Sequence, residues 1–206
     1  MTEFFGIDLP ALIRSVGYVG LFIIIFAESG LFIGFFLPGD SLLFTAGFLA
    51  SQGILNIFIL VPLCFIAAIL GDSFGYFFGK KIGPALFNKE RSFFFHKENL
   101  ERARMFYERY GAKTIFLARF LPVVRTFAPI LAGVGEMRYR TFMIYNFIGA
   151  LVWGIGITIF GYYLGSIFPQ AEKYLLYIVA AIIALSALPS LIHVIRNRET
   201  FFNNKK

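Results

Sequence analysis

The chain has 206 residues, of which 58% are hydrophobic and 15% charged, and a formal net charge of +7. Its mean hydropathy is +0.75, whereas soluble domains carry about 25% charged residues. A soluble chain of this length could not bury so much apolar surface, so the composition excludes a soluble enzyme, a disulfide scaffold and a disordered chain. The apolar runs are continuous, which favours membrane helices over a closed barrel.

The first part of the chain predicts an interfacial helix, a hairpin and a span. Residues 1–16 are too short to cross and predict an interfacial N-terminal helix. Residues 17–36 are long enough to span, but the turn signal Leu37-Pro38-Gly39-Asp40-Ser41 follows, and then a half-length apolar run at 42–50. Two apolar arms around a turn without a polar loop indicate a hairpin that enters the membrane and returns. Residues 56–78 predict a full span.

The second part of the chain predicts a similar succession of segments. Residues 80–113 are polar and basic with apolar residues at helical spacing, which indicates a cytoplasmic amphipathic segment. Residues 114–165 predict a second broken apolar run and a second span. A last transmembrane helix is expected at 173–195 and a basic cytoplasmic tail at 196–206. We expect the whole chain to form one membrane domain.

Glycine-containing motifs recur at a single offset of 86 residues. The matching pairs are Ala46-Gly47 with Ala132-Gly133, and Gly75-Tyr76-Phe77-Phe78-Gly79 with Gly161-Tyr162-Tyr163-Leu164-Gly165. The same offset aligns the two broken segments, because Asp40 falls on Thr126. The motifs therefore predict an internal repeat, residues 17–79 and 114–165.

Each half is interpreted as a re-entrant hairpin followed by one spanning helix. The odd number of crossings turns the second half upside down, as in many secondary transporters. The expected fold is an all-α polytopic membrane protein: an inverted repeat of re-entrant helical hairpin plus transmembrane helix, with an additional C-terminal transmembrane helix. In this topology nearly all basic residues, apart from Arg14 and Lys173, share one face, which the positive-inside rule makes cytoplasmic.

Ionisable residues occur at apparent membrane depth. They are Glu28, Asp40, Asp72, Arg119 and Arg125. Each costs about 3 kcal/mol at a lipid-facing helix centre. Structural pairing between the hairpins is one explanation, and a polar site at the repeat interface is the other and the favoured one.

Breaks in the hairpins are expected to bring these charges together. Residues that interrupt the helices are Pro38, Gly39, Pro122 and Pro129. Asp40-Ser41 is expected to cap the returning half-helix of the first hairpin, and Thr126 that of the second, with Pro129 in its first turn. Two half-helix N-termini would then meet in mid-membrane.

Such a meeting point favours a phosphate. Helix N-termini offer free N–H donors, and Arg119 and Arg125 can bind phosphate through paired hydrogen bonds. The predicted substrate-binding residues are Arg119, Arg125, Asp40, Ser41 and Thr126. Three acids face two arginines, so one carboxylate can lack a partner and carry a proton. Glu28 or Asp40 is the predicted proton carrier; Asp72 is a further candidate for which a structural role is equally open.

The ordered motifs resemble a known family. They are Phe26-Ala27-Glu28-Ser29-Gly30, Phe36-Leu37-Pro38-Gly39-Asp40-Ser41, Gly71-Asp72 with Gly75-Tyr76, and Phe116-Leu117-Ala118-Arg119-Phe120-Leu121-Pro122 with Arg125. Across about residues 17–195 the chain resembles the DedA family, whose wider VTT or SNARE-associated group includes eukaryotic lipid scramblases. The resemblance implies a bacterial inner-membrane protein with two re-entrant hairpins, in which Glu28, Asp40, Arg119 and Arg125 are required. It also implies lipid flipping, because some members recycle undecaprenyl phosphate, others move phospholipids, and some are coupled to ion gradients.

The expected function is a lipid-phosphate translocase that moves undecaprenyl phosphate. The alternatives are a phosphatidylethanolamine translocase or scramblase, and a proton- or ion-coupled transporter of small solutes. A lipid phosphatase is disfavoured because neither His96 nor His193 lies in a hairpin. The expected partners are a phosphate-bearing lipid, protons or another coupling ion, and membrane lipids; a homo-oligomer is left open. No catalytic residue, cofactor, metal site or nucleic-acid partner is expected.

Overall fold

The computed structural model describes part of the chain. The described residues are 3–4, 7–31, 37, 39–87, 111 and 113–168. Predictions for the last transmembrane helix at 173–195, the tail at 196–206, residues 88–110 of the basic segment and the break at Pro38 lie outside them.

The described residues are almost entirely helical. The helices are α1 (Leu9–Gly30), α2 (Gly39–Ser51), α3 (Ile57–Phe87), α4 (Lys113–Ala118), α5 (Pro122–Val134), α6 (Tyr139–Ala150) and α7 (Gly156–Ile167), with a π-helical segment, Leu151–Ile155, joining α6 to α7. Two short antiparallel strands, β1 (Glu3–Phe4) and β2 (Ile7–Asp8), precede α1. Helix α1 is kinked at Gly17, whose φ is 57°. The all-α class is confirmed.

Within the described residues, helices at Ala11–Gly30, Ile57–Ile82 and Tyr139–Ile167 are long and apolar enough to cross a membrane. Their outer faces suit lipid. Large apolar side chains on α3, such as Phe58, Leu70 and Phe77, are exposed, and a contiguous apolar exterior marks a membrane or interaction surface. The chain is therefore a multi-pass membrane protein.

The first three helices run along one another with a reversal between α1 and α2. The backbone N–H of Asn56, just before α3, donates to the Tyr18 hydroxyl at 2.6 Å, and at the other end of α1 Gly30 packs against Gly71 of α3. Helices α1 and α3 are thus parallel and pack directly on each other, and α2 leads back to the start of α3. The reversal lies level with the middle of α3, because Asp72 is the central residue of that 31-residue helix.

Helix α5 runs along the second half of α3. Gly79 of α3 faces the backbone of Ile130, and Gly133 of α5 faces the backbone of Tyr76. Helix α6 then returns antiparallel to α3, since the Tyr76 hydroxyl donates to the Met137 carbonyl. Further along, the Asn146 amide donates to the carbonyl of Ile69.

The two most extensive helix packings cross between the halves, α2 on α7 and α5 on α3. Their close contacts correspond. Gly47 packs against the carbonyl of Thr158, as Gly133 packs against that of Tyr76; likewise Gly161 meets the carbonyl of Phe44, as Gly79 meets that of Ile130. The corresponding residues are 86 positions apart on the short helices and 82 apart on the long ones. The internal repeat is therefore matched by equivalent contacts, and each half supplies the short helix that covers the long helix of the other.

Two helix starts differ from the sequence expectation. Helix α5 begins at Pro122 after the N-cap residue Leu121, so Thr126 lies one turn inside the helix and is not its cap. Pro129 also lies inside α5 and does not break it. In the first half α2 begins at Gly39, which places Asp40 within its first turn. A proline at the first helical position outweighs a capping hydroxyl further on, because its φ is preset and its missing N–H is not needed there.

Candidate functional site

The buried charges predicted from the sequence converge at one place between the two halves. Glu28 on α1, Asp40 on α2, Asp72 on α3, Arg119 after α4 and Arg125 on α5 form the charge cluster. Glu28, Asp72, Arg119 and Arg125 are at most 9% exposed, and the side chain of Asp40 is 13% exposed. Removing such charges from water costs several kcal/mol each, which only close pairing can offset.

Arg125 of α5 contacts acids on both α1 and α2. Its Nη1 donates to Asp40 Oδ1 at 2.6 Å, and its Nη2 forms an ion pair with Glu28. The planar guanidinium therefore binds one carboxylate with each terminal nitrogen, which a lysine ammonium could not reproduce. Arg125 of the second half is the point where the acids of α1 and α2 meet.

Arg119 forms a second buried ion pair, with an acid on α3. Its Nη2 pairs with Asp72 of α3 and donates to Asn146 Oδ1 at 2.6 Å. Asn146 Nδ2 in turn donates to the carbonyl of Ile69 at 3.3 Å. Asn146 thus fixes the orientation of Arg119 against α3.

Trp153 lies close to both arginines and to Asp40. Its indole Nε1 donates to Asp40 Oδ1 at 2.6 Å. The ring centroid is 5.0 Å from Cζ of Arg125 and 5.7 Å from Cζ of Arg119. Cations within about 6 Å of an indole ring are attracted to its face, so Trp153 contacts an acid through its edge and both bases through its face.

Asn146 and Trp153 were not predicted as site residues. A signal existed, because Asn146 is an amide in an otherwise apolar span and Trp153 follows seven residues later. Residues seven positions apart share one face of a helix. A polar residue and an amphipathic aromatic on one face of a membrane helix therefore mark a face that meets other polar groups.

Two glycines provide the space that the charges occupy. A Cβ at Gly39 would lie 2.6 Å from the carboxyl carbon of Glu28, and one at Gly149 would lie 2.7 Å from Cδ of Arg119. Real Cβ atoms do not approach other atoms so closely. Both glycines thus let a charged side chain pass against the backbone.

The remaining predicted residues are divided between the cluster and its surroundings. Ser41 and Thr126 are both buried. Gly39 and Pro122 begin α2 and α5, as expected of residues that interrupt a helix. The proposed roles of these residues in binding or proton transfer stay predictions.

Some buried donors have no hydrogen-bond partner among the described residues. They are Nε of Arg119, Nε of Arg125 and the hydroxyls of Ser41 and Thr45. Buried polar groups in native proteins are nearly always paired. The two Nε–H groups are donors suited to an anion, so the cluster has binding capacity beyond its internal pairs.

The chain is similar to several known membrane proteins. The VTT domain family matches residues 37–163, a stretch that contains the whole charge cluster except Glu28. Protein DedA of Escherichia coli strain K12 is 46% identical over 197 residues, 93% of this chain and 90% of that protein. Inner membrane protein YghB of the same strain is 32% identical over 193 residues, 90% and 88% of the two chains.

An uncharacterized membrane protein of Mycobacterium leprae is 45% identical over 170 residues, 82% of this chain and 76% of that protein. No solved structure matches the chain. The match to the VTT family covers more than half of the sequence, and the likeness to DedA extends over nearly all of it. The chain therefore belongs to the DedA family of membrane proteins and contains its VTT domain.

Proposed function

We propose that the protein is a lipid-phosphate translocase whose headgroup site is the charge cluster, with undecaprenyl phosphate as the preferred substrate. The observation that carries this proposal is that two buried guanidiniums, those of Arg119 and Arg125, both lie within 6 Å of the Trp153 ring centroid. Guanidinium is the side-chain group best matched to phosphate. Apolar helix faces next to the cluster allow the prenyl chain to stay in lipid.

Binding proceeds by exchange of anions on the arginines. The phosphate takes the position of a carboxylate on Arg125 or Arg119, and the free Nε–H groups add further donors. The three carboxylates already exceed the two guanidiniums by one formal negative charge. A carboxylate released from its arginine in this dry setting therefore takes up a proton. Glu28 and Asp40, which share Arg125, are the first candidates, and Asp72 is the third.

The proposed transport cycle uses the inverted halves. The hairpins α1–α2 and α4–α5 are re-entrant in this proposal, and their tips bring the cluster to mid-membrane, level with Asp72. Rocking of one half against the other opens the cluster to each leaflet in turn. Proton uptake and release at the carboxylates couples this motion to the proton gradient.

We assign the protein to the bacterial cytoplasmic membrane. The relative YghB is named an inner membrane protein, and the exposed basic residues Lys80, Lys81, Arg138 and Arg140 lie at one end of α3 and α6. The positive-inside rule gives that end to the cytoplasm, together with the 80–113 segment and the C-terminus.

Lipid exchange between leaflets tests the function. The protein is reconstituted into liposomes that hold labelled undecaprenyl phosphate or, separately, labelled phosphatidylethanolamine, with and without a pH gradient. We expect faster exchange of the phosphate monoester than of the phospholipid, accelerated by the gradient. Arg125→Ala should abolish the protein-dependent exchange of lipid. Arg125→Lys should slow that exchange at least tenfold, because the ammonium cannot bind two partners in the forked geometry.

Arg140→Ala is the matched control, because Arg140 is an exposed arginine outside the cluster. It should exchange lipid at the parent rate. Rates equal to those of empty vesicles for both lipids would reject lipid translocation and leave solute transport. Faster exchange of phosphatidylethanolamine would instead make the protein a phospholipid translocase or scramblase.

A further inference from the structure

We propose that Trp153 is a positioning residue: its indole N–H retains Asp40 when Arg125 leaves that carboxylate to bind the phosphate headgroup. This inference rests on the proposed function, since it concerns the same site. Trp153 belongs to neither hairpin, and it acts through Asp40.

Asp40 has two donors on one oxygen. Both Arg125 Nη1 and Trp153 Nε1 lie 2.6 Å from Oδ1. When Arg125 turns to another anion, the indole bond is the one of the two that persists. Without it Asp40 would be a buried carboxyl group with no fixed position beside an incoming phosphate, and while Asp40 is ionised the two like charges repel at short distance.

The backbone around Trp153 supports a dedicated role. Residues Leu151–Ile155 form a π-helical turn, with Trp153 at its centre. Single π-helical turns inside α-helices are rare and occur frequently at functional sites. The rest of the indole is held as well, because the side chain is 3% exposed and its face contacts both guanidiniums.

The indole hydrogen bond should matter differently in the empty site and in the site that holds phosphate. In the empty site Arg125 alone can hold Asp40, so loss of the indole N–H should cost little stability. In the occupied site the indole is the remaining donor, so its loss should weaken binding. A purely structural tryptophan would not separate these two quantities.

Trp153→Phe keeps an aromatic face and removes the N–H. The probe is farnesyl phosphate, a short polyprenyl phosphate, and farnesol is its uncharged control; binding is read from the ligand-dependent rise in Tm of the purified full-length protein. We expect the variant to bind farnesyl phosphate about tenfold more weakly or worse, as for a lost hydrogen bond to a charged group. Its Tm without ligand should stay close to that of the parent.

Asp40→Ala supplies the decisive comparison, because alanine has no side-chain acceptor for the indole N–H. If Trp153 acts through Asp40, then Trp153→Phe should cause no further loss of affinity in the Asp40→Ala background, which is the signature of coupled residues. Phe160→Leu, an exposed aromatic position on α7, is the matched control and should bind as the parent does. The inference would be overturned if the two substitutions lowered affinity additively, or if Trp153→Phe left the affinity unchanged. It would also be overturned if Trp153→Phe lowered the Tm without ligand by as much as it lowers the ligand-dependent rise in Tm.

The chain contains one tryptophan, so its fluorescence reports on this contact without any substrate. Asp40→Asn should change the emission of Trp153, whereas Arg140→Ala should not. An unchanged emission spectrum in Asp40→Asn overturns the role assigned to Trp153 and leaves the proposed function in place. Failure of the parent to bind farnesyl phosphate, with the spectral change present, overturns the proposed function and with it the role assigned to Trp153.

Discussion

Arg119 passes against a residue that has no side chain. The stem of Arg119 occupies the space over Gly149, while its guanidinium is fixed by Asp72 and Asn146. The arginine cannot withdraw from Gly149 without giving up these bonds. Gly149 therefore sets the path of a buried charged side chain although it bears no charge itself.

Gly149→Ala should displace Arg119 and disrupt its pairing with Asp72. Overpacking of this kind costs about 1–3 kcal/mol, so we expect a lower Tm and slower lipid exchange. Gly156→Ala is the matched control on the same membrane span, because a Cβ at Gly156 meets nothing within 4 Å. A Gly149→Ala protein that equals the Gly156→Ala protein in Tm and exchange rate would contradict this account.

Much of the site was predictable from the sequence, and its pairing was not. Charged residues in apolar runs are conspicuous because each is costly in lipid, so Glu28, Arg119 and Arg125 could be identified directly. Which acid meets which arginine depends on helix rotation and tilt, which the spacing of residues does not determine. Asn146 and Trp153 escaped prediction because single uncharged residues in a span carry only a weak signal.

At the scale of helices, the repeat expected from the sequence is matched by corresponding contacts, whereas one helix start was misplaced. Gly47 packs against the carbonyl of Thr158, and Gly133 against that of Tyr76. Helix α5 nevertheless begins at Pro122, three positions before the equivalent of Gly39. The sequence repeat is set by glycines at the helix contacts, whereas the start of a helix is set by the residues at that start, here Pro122. The two halves can therefore share glycine positions and still begin their short helices at different positions.

The packed glycines give a prediction for the helix pairs. Gly47→Ala and Gly133→Ala should each lower Tm by a similar amount, because in both a Cβ would collide with the backbone of the facing helix. Small residues allow membrane helices to pack at such close range. Thermal unfolding in detergent measures the effect, again against Gly156→Ala. A normal Tm for either variant would show that this helix pair can separate without loss of stability.

For the whole molecule, the inverted plan predicts which turns lie on opposite sides. The turn before α3 contains Ile54, and the turn before α6 contains Arg138. They are separated by the stretch from Asn56, which precedes α3, to Tyr76 within that helix. Twenty helical residues extend about 30 Å, the thickness of the hydrocarbon core. The sequence predicted this arrangement through the repeat and the distribution of charge. The sequence did not reveal that the short helix of each half packs on the long helix of the other half, because hydropathy does not indicate which helices are in contact.

Single cysteines test this topology. In a Cys64→Ala background, Ile54→Cys should react with a membrane-impermeant maleimide in intact cells, and Arg138→Cys only after permeabilisation. Both parent side chains are exposed, so the difference reports the side of the membrane. Equal labelling of the two cysteines in intact cells would contradict the inverted arrangement.

Because the short helix of each half packs on the long helix of the other, each half needs the other to complete its packing. A fragment ending near Phe87 would carry Glu28, Asp40 and Asp72 without Arg119 and Arg125, and a fragment starting near Lys113 would carry the two arginines without the acids. Each would also expose to lipid a glycine-lined groove shaped for the other's backbone. We therefore expect neither fragment to be a stable membrane protein alone.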